Sequence, residues 1–211
     1  SAEINTKLAA LKKSEQLVLD LQNYLKERGV SVKPAKIESQ PGKPVDSAGG
    51  PVLSGSVQNM SFSSSFSAGA ETLLQTLQRM PLGAPHNGPL TSRFGNRANP
   101  FTGSGAEDHS GLDFKGNTGE AIRVTANGKV AFAGVQGGYG NVVRVTHGHG
   151  FETVYAHLSR IDVKVGQSIQ AGHVVGLLGS TGRSTGPHLH YEVMRNGVRL
   201  DPENYLNLDV S

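Results

Sequence analysis

Residues 179–193 read Gly-Ser-Thr-Gly-Arg-Ser-Thr-Gly-Pro-His-Leu-His-Tyr-Glu-Val, and the fold of the chain turns on how they are read. A glycine-rich loop passes through Pro187 into a segment with the alternation of a β-strand. Side chains two apart on a strand share a face. His188, His190 and Glu192 therefore fall on one side, and Leu189, Tyr191 and Val193 on the other. An apolar back beneath two imidazoles and a carboxylate is a poor arrangement for packing and a good one for gripping a metal ion.

Outward from this stretch, the chain beyond Leu90 is a series of short apolar runs rich in Val and Ile, separated by turns that contain Gly and Asn. The runs predict strands at 122–124, 129–135, 141–146, 151–157, 174–178 and 188–195. Asn127-Gly128 and Asn196-Gly197 read as tight hairpin turns. Close spacing of short strands predicts a mainly β domain over 81–211, a twisted antiparallel sheet or open barrel and not an alternating β-α-β array.

The first 80 residues are different. Over 3–28 the apolar residues Ile4, Leu8, Leu11, Val18 and Leu25 recur at four- and seven-residue steps among Lys, Glu and Gln, which predicts an amphipathic helix within 1–30, with Gly29 as its stop. The row is a partial heptad broken at Glu15 and Gln22. It suits either the tail of a longer coiled coil or a helix packed on the rest of the chain. Residues 31–80 are a Pro/Gly/Ser-rich linker with a short helix near 71–80 that ends before Pro81. Its apolar content is too low to offset the entropy of ordering, Phe62 and Phe66 being the exceptions.

Composition narrows the chemistry. With no cysteine among 211 residues, disulfide scaffolds and Cys-type zinc sites are excluded, so any metal must be held by His, Asp or Glu. The lack of cysteine is compatible with an oxidising compartment. A net charge of +3 without Lys/Arg clusters interleaved with aromatics argues against a nucleic-acid partner. No apolar run of 18 residues is present to span a membrane, and no signal-peptide pattern precedes the helix.

The eight histidines are not equivalent. His109 and Asp113 stand four apart in His-Ser-Gly-Leu-Asp; in an extended segment both would face one way and make a two-ligand clip. His188 and His190 make a second clip, and spacing alone allows both to be ligands. His157 ends a predicted strand. Two His and one carboxylate, with a fourth position for water, is a recurring form of catalytic zinc. His147 and His149 repeat the His-x-His spacing, but each is followed by glycine, which reads as a hairpin loop. His173 reads as a loop residue, and His86 lies in a Pro/Gly loop without a nearby partner.

Four segments together resemble one family: Thr-Ser-Arg-Phe-Gly-Asn-Arg at 91–97, His-Ser-Gly-Leu-Asp at 109–113, Tyr-Ala-His at 155–157 and Gly-Arg-Ser-Thr-Gly-Pro-His-Leu-His at 182–190. Their order and spacing are similar to the lysostaphin and LytM-type peptidases of family M23 over roughly residues 85–206. The resemblance implies one Zn²⁺ per chain held by His109, Asp113 and His190, with His157 and His188 as catalytic residues beside it. Glu192, on the same face by parity, is then a candidate for orienting an imidazole, or else a solvent-facing strand residue. The implied activity is endopeptidase cleavage of peptidoglycan in the cell envelope, periplasmic or secreted. The bond is a glycine bridge in lysostaphin-like members or the D-alanyl–meso-diaminopimelate bond in Gram-negative envelope members, whose helix-linker-domain layout this chain resembles more. The alternative is a silent or autoinhibited wall-binding regulator that activates another peptidoglycan hydrolase; a third reading, layered onto the peptidase, has residues 31–80 lying in the groove as an inhibitory segment. Residues 3–28 are a candidate surface for a coiled-coil or envelope-protein partner.

Overall fold

A computed structural model describes residues 2–27, 30, 70–98, 100–102 and 105–206 of the chain. The serine-rich tract, Phe62, Phe66 and the Gly29 stop signal lie outside these residues. The chain divides into two compact units, Ser1–Thr76 and Leu77–Ser211.

In the first unit, helix α1 runs over Ala2–Glu27. Of its apolar row, Leu25 is buried and Val18 half-buried, whereas Leu17 and Leu19 are exposed. A second helix, α2, covers 70–78 and is closed by a turn before Pro81, where proline removes a donor and clashes with the preceding turn. None of the described helices is long and apolar enough to cross a membrane.

The second unit is built almost wholly of antiparallel strands. They are β1 (Leu90–Ser92), β2 (Gly95–Ala98), β3 (Ala106–His109), β4 (Leu112–Lys115), β5 (Ala121–Arg123), β6 (Gly128–Val135), β7 (Asn141–Thr146), β8 (Phe151–Leu158), β9 (Arg160–Ile161), β10 (Ser168–Ile169), β11 (Val174–Leu177), β12 (His188–Arg195) and β13 (Val198–Leu200), followed by the one-turn helix α3 (Glu203–Leu206). The main sheet has the order β1-β4-β12-β8-β7-β6-β10, with β13 added to β12; β5-β11-β9 and β2-β3 form two small sheets. The end strands β1 and β10 do not pair with each other, so the sheet is open. Register shifts in the β1–β4, β6–β7 and β7–β8 pairs bend it.

The central strand β12 is buried on both faces, and its register sorts its residues. Tyr191 lies opposite Tyr155 of β8 and Leu112 of β4. The two tyrosine hydroxyls meet at Thr125, at 2.9 Å from Tyr191 and 3.1 Å from Tyr155. Buried phenols need such partners, and here the pair fixes the apolar back of the sheet. On the other face Val142, Val154 and Ala156 form a compact cluster flanked by Phe132, Tyr139 and Met194. His190 and Glu192 belong to this second face, opposite Ala156 and Val154.

Of the two predicted hairpin turns, Asn196-Gly197 has positive φ at both positions (50° and 79°), as a type I′ turn requires. Asn127-Gly128 is not a hairpin. β5 pairs with β11 and β6 with β7, and Gly128 is needed because a Cβ there would lie 2.4 Å from the Thr146 carbonyl oxygen. Asn127 serves as a joint instead, accepting the Ala171 N–H on Oδ1 at 2.9 Å and His147 Nδ1–H on its carbonyl at 2.8 Å.

That last bond makes His147 a structural residue. Its Nε2 lies 2.8 Å from Thr153 Oγ1, and burial holds the ring's pKa below its ordinary value, only partly opposed by the Asn127 carbonyl. The neutral ring is the form the fold accepts. Below about pH 6.5 the unfolded chain therefore binds a proton that the folded one resists, so stability is lost as pH falls through that value. Calorimetric unfolding from about pH 7.5 to about pH 5 should show a smaller fall in Tm for His147→Gln than for the parent chain, from a lower starting Tm. Parallel curves would assign the acid sensitivity elsewhere.

Candidate metal centre

Strand register brings the centre together. β12 lies antiparallel to β4 with His190 directly opposite Asp113, so an imidazole and a carboxylate stand side by side on one face. His109 arrives from a different sheet, at the end of β3. The extended segment expected between His109 and Asp113 is broken at Ser110-Gly111, and the two side chains converge because the chain turns there. Gly111 permits that turn against β12: a Cβ on it would lie 2.1 Å from the Tyr191 carbonyl oxygen.

Three donor atoms meet at the convergence. Asp113 Oδ1 lies 3.1 Å from His109 Nε2 and 2.9 Å from His190 Nδ1, and the two nitrogens are 3.2 Å apart. All three residues are buried. The remaining ring nitrogens are committed elsewhere: His109 Nδ1–H donates to the Arg93 carbonyl at 2.8 Å, and His190 Nε2–H to Glu192 Oε1 at 2.9 Å. Both inward nitrogens then carry lone pairs aimed at each other and at a carboxylate, an arrangement that needs a cation or a proton between the three. Zinc ligands at 2.0–2.1 Å in tetrahedral geometry stand about 3.3 Å apart, close to the spacing found, so the donor set fits such an ion.

The same crowding governs the pKa values. Burial disfavours the Asp113 carboxylate, but hydrogen bonds from His109 and His190 outweigh it and hold the group far below the usual carboxylate range. Burial disfavours charge on His190 too, and its bonds to Asp113 and Glu192 nonetheless raise its pKa. Glu192 is fully buried, and hydrogen bonds from His190, Ser110 and Tyr139 overcome that burial to bring it down to about 2. Ser110 Oγ donates to Glu192 Oε1 at 2.5 Å and Tyr139 Oη at 2.8 Å, while Arg199 Nε approaches Oε2 at 3.4 Å. A ligand histidine whose outer nitrogen is held by such a carboxylate keeps one tautomer and one orientation.

Two further imidazoles face the same cavity, about 600 Å³ in volume. His157 ends up there through an uncommon backbone: its φ is 61°, which turns it off the face that alternation from Tyr155 would give it. His157 Nδ1–H donates to the Thr181 carbonyl at 2.8 Å, and its ring lies 4.7 Å from that of His188. Burial, reinforced by neighbouring His188, lowers its pKa to about 4 against the opposing pull of the Thr181 carbonyl. His188 Nδ1–H donates to the Gly186 carbonyl at 2.8 Å, and its Nε2 is 3.8 Å from Asp113 Oδ1.

Ser110, Tyr139, Arg199 and the Arg93 and Thr181 carbonyls were not singled out from sequence. Ser110 and Arg93 lie inside two of the quoted motifs, and Tyr139 is a lone aromatic within Gly-Gly-Tyr-Gly at 137–140. His149 and His173 are exposed and apart from the centre. His86, expected to lack a partner, donates Nε2–H to Glu120 at 2.8 Å and accepts the Gly88 N–H at 3.0 Å.

Residues 107–202 match peptidase family M23. A DD-carboxypeptidase/endopeptidase of Neisseria meningitidis is 44% identical over 113 residues, 54% of this chain and 26% of the relative. The peptidoglycan DD-endopeptidase ShyA of Vibrio cholerae is 36% identical over 141 residues, 66% of this chain and 31% of the relative. Among solved structures, a zinc-containing peptidase from Vibrio cholerae superposes with a TM-score of 0.54 at 32% identity, over 63% of this chain and 41% of that one. The chain thus spans less than a third of the length of these curated relatives.

If Glu192 orients His190, its loss should loosen the centre without unfolding the sheet. In Glu192→Gln, metal affinity measured by competition with a chromophoric chelator should fall roughly 10–100-fold. An unchanged affinity would leave Glu192 a packing residue.

Proposed function

Because the chain belongs to peptidase family M23, we propose that it is a zinc-dependent endopeptidase that hydrolyses peptide cross-links of bacterial cell-wall peptidoglycan. The observation that carries the proposal is the set of three buried lone-pair donors, on His109, Asp113 and His190, with two further imidazoles on the same cavity. The likeness to a peptidoglycan DD-endopeptidase and to a zinc-containing peptidase supports the substrate and the metal. The bond proposed is D-alanyl–meso-diaminopimelate, and the place of action is the cell envelope, in the periplasm or outside the cell.

His109 Nε2, Asp113 Oδ1 and His190 Nδ1 would hold the ion. When bound, zinc supplies a Lewis acid for the scissile carbonyl and brings the pKa of its water toward 7. The two remaining histidines manage protons. With Nδ1–H fixed on a backbone carbonyl, each neutral ring presents Nε2 as an acceptor. His157 stays neutral down to about pH 4, so it accepts and orients a water proton across the working range. His188 Nε2, on the Asp113 side, takes up a proton and returns it to the departing amine nitrogen. The φ of 61° at His157 turns its ring into the cavity, 4.7 Å from that of His188, so the two acceptors stand side by side there.

Replacing His188 with Ala should leave one zinc per chain by elemental analysis. It should also lower the release of cross-linked fragments from purified sacculi by about 10²–10⁴-fold, read by mass spectrometry of the digest. Loss of zinc from the variant, or digestion at the parent rate, would overturn the assignment of proton transfer to this residue.

A further inference from the structure

The cavity wall beside the metal ligands carries a pair of opposite charges that the mechanism does not use. Glu107 stands two residues before His109 on β3, so its side chain shares that face and its Cα is about 6.6 Å along the strand. Glu107 Oε1 lies 3.6 Å from Arg183 Nη1, beyond hydrogen-bond length. Its Oε2 is shielded from solvent and has no hydrogen-bond partner among the described residues. A carboxylate oxygen withdrawn from water and given no donor is costly, and such groups call for an explanation.

Arg183 is held in place without closing that gap. Its guanidinium carbon is 4.3 Å from the centroid of the Phe101 ring, and its backbone N–H donates to the Gly138 carbonyl at 2.8 Å. Its side chain remains about half exposed, on the same cavity as His109, His157, His188 and His190. The wall therefore offers a carboxylate oxygen that lacks a donor next to a planar guanidinium braced on an aromatic face.

We propose that Glu107 and Arg183 form a specificity subsite for a free amino-acid end of the substrate, an ammonium and a carboxylate on one carbon. The inference rests on the peptidase reading above and names what that peptidase selects. The Glu107 carboxylate, whose side chain is partly exposed, turns Oε2 out of its shielded position to accept from the ammonium, and the substrate carboxylate takes the guanidinium fork of Arg183, whose planar donors match it. An extended peptide advances about 3.3 Å per residue, so the subsite reads a side chain one to two residues from the bond held at the metal centre. In a cross-linked stem peptide, the unlinked end of a diaminopimelate has this chemistry. An acetylated amine or an amidated carboxylate does not.

The test uses binding, so that it does not depend on turnover. Zinc-loaded chain carrying His188→Ala is titrated calorimetrically with three cross-linked stem-peptide dimers: one with the free end, one acetylated on that amine, and one amidated on that carboxylate. Acetylation should weaken binding roughly tenfold or more, and adding Glu107→Gln should abolish the difference. Amidation should cost a similar factor, abolished by Arg183→Gln. Equal binding of the free and acetylated dimers, a preference that survives Glu107→Gln, or no binding of any dimer would each overturn the subsite. Digestion of the free-end dimer by the parent chain is measured alongside. Cleavage without discrimination removes the subsite and leaves the peptidase; discrimination without cleavage does the reverse.

Discussion

Two imidazole nitrogens and a carboxylate oxygen, all buried and all within 3.2 Å of one another, are the constraint around which the rest of this domain is arranged. Three acceptors cannot face each other in a low-dielectric interior unless something positive lies between them. The surroundings make the demand stricter by fixing each outer nitrogen. The Arg93 carbonyl takes the His109 proton, Glu192 takes that of His190, and the Thr181 and Gly186 carbonyls take those of His157 and His188. Four tautomers are thereby set by the fold before any ligand arrives, which is what a preorganised centre requires.

Strand register is what holds this together. β12 lies between β4 and β8, with His190 opposite Asp113 on one side and Ala156 on the other. A slip of one residue would turn His190 to the back of the sheet and bring Tyr191 forward. The back face resists the slip, since Tyr191 and Tyr155 share the Thr125 hydroxyl and Leu189 packs opposite Phe114. The apolar side of the strand thus specifies the polar side. Small Ala156 next to His190 leaves the imidazole room to reach toward Asp113 rather than be covered.

Much of this was legible in the sequence, for identifiable reasons. The bounds of β7 and β12 matched because β7 is a valine-rich run and β12 alternates Leu189, Tyr191 and Val193 with polar residues, and strand parity put His190 and Glu192 on one face. The short strands β1 to β4, β9, β10 and β13 have no counterpart among the predicted runs, since each has too few apolar residues in sequence to mark a strand. Asn127-Gly128 misled because a glycine demanded by close contact with the Thr146 carbonyl looks the same in sequence as one demanded by a turn. The approach of His109 to Asp113 was expected from a continuous strand, but it arises across a bend at Gly111 between strands of two different sheets. His157 enters the cavity through a positive φ that alternation cannot reveal, and the hydrogen bonds that bury Glu192 come from Ser110, Tyr139 and Arg199, far apart in the chain.

The central claim is that His109, Asp113 and His190 grip a single divalent ion. It is tested most directly by anomalous diffraction at the zinc absorption edge, from crystals of the chain supplied with one equivalent of zinc. The account predicts one peak, about 2.0–2.1 Å from His109 Nε2, Asp113 Oδ1 and His190 Nδ1. A peak at the exposed His149 or His173 instead, with none among these three side chains, would contradict it.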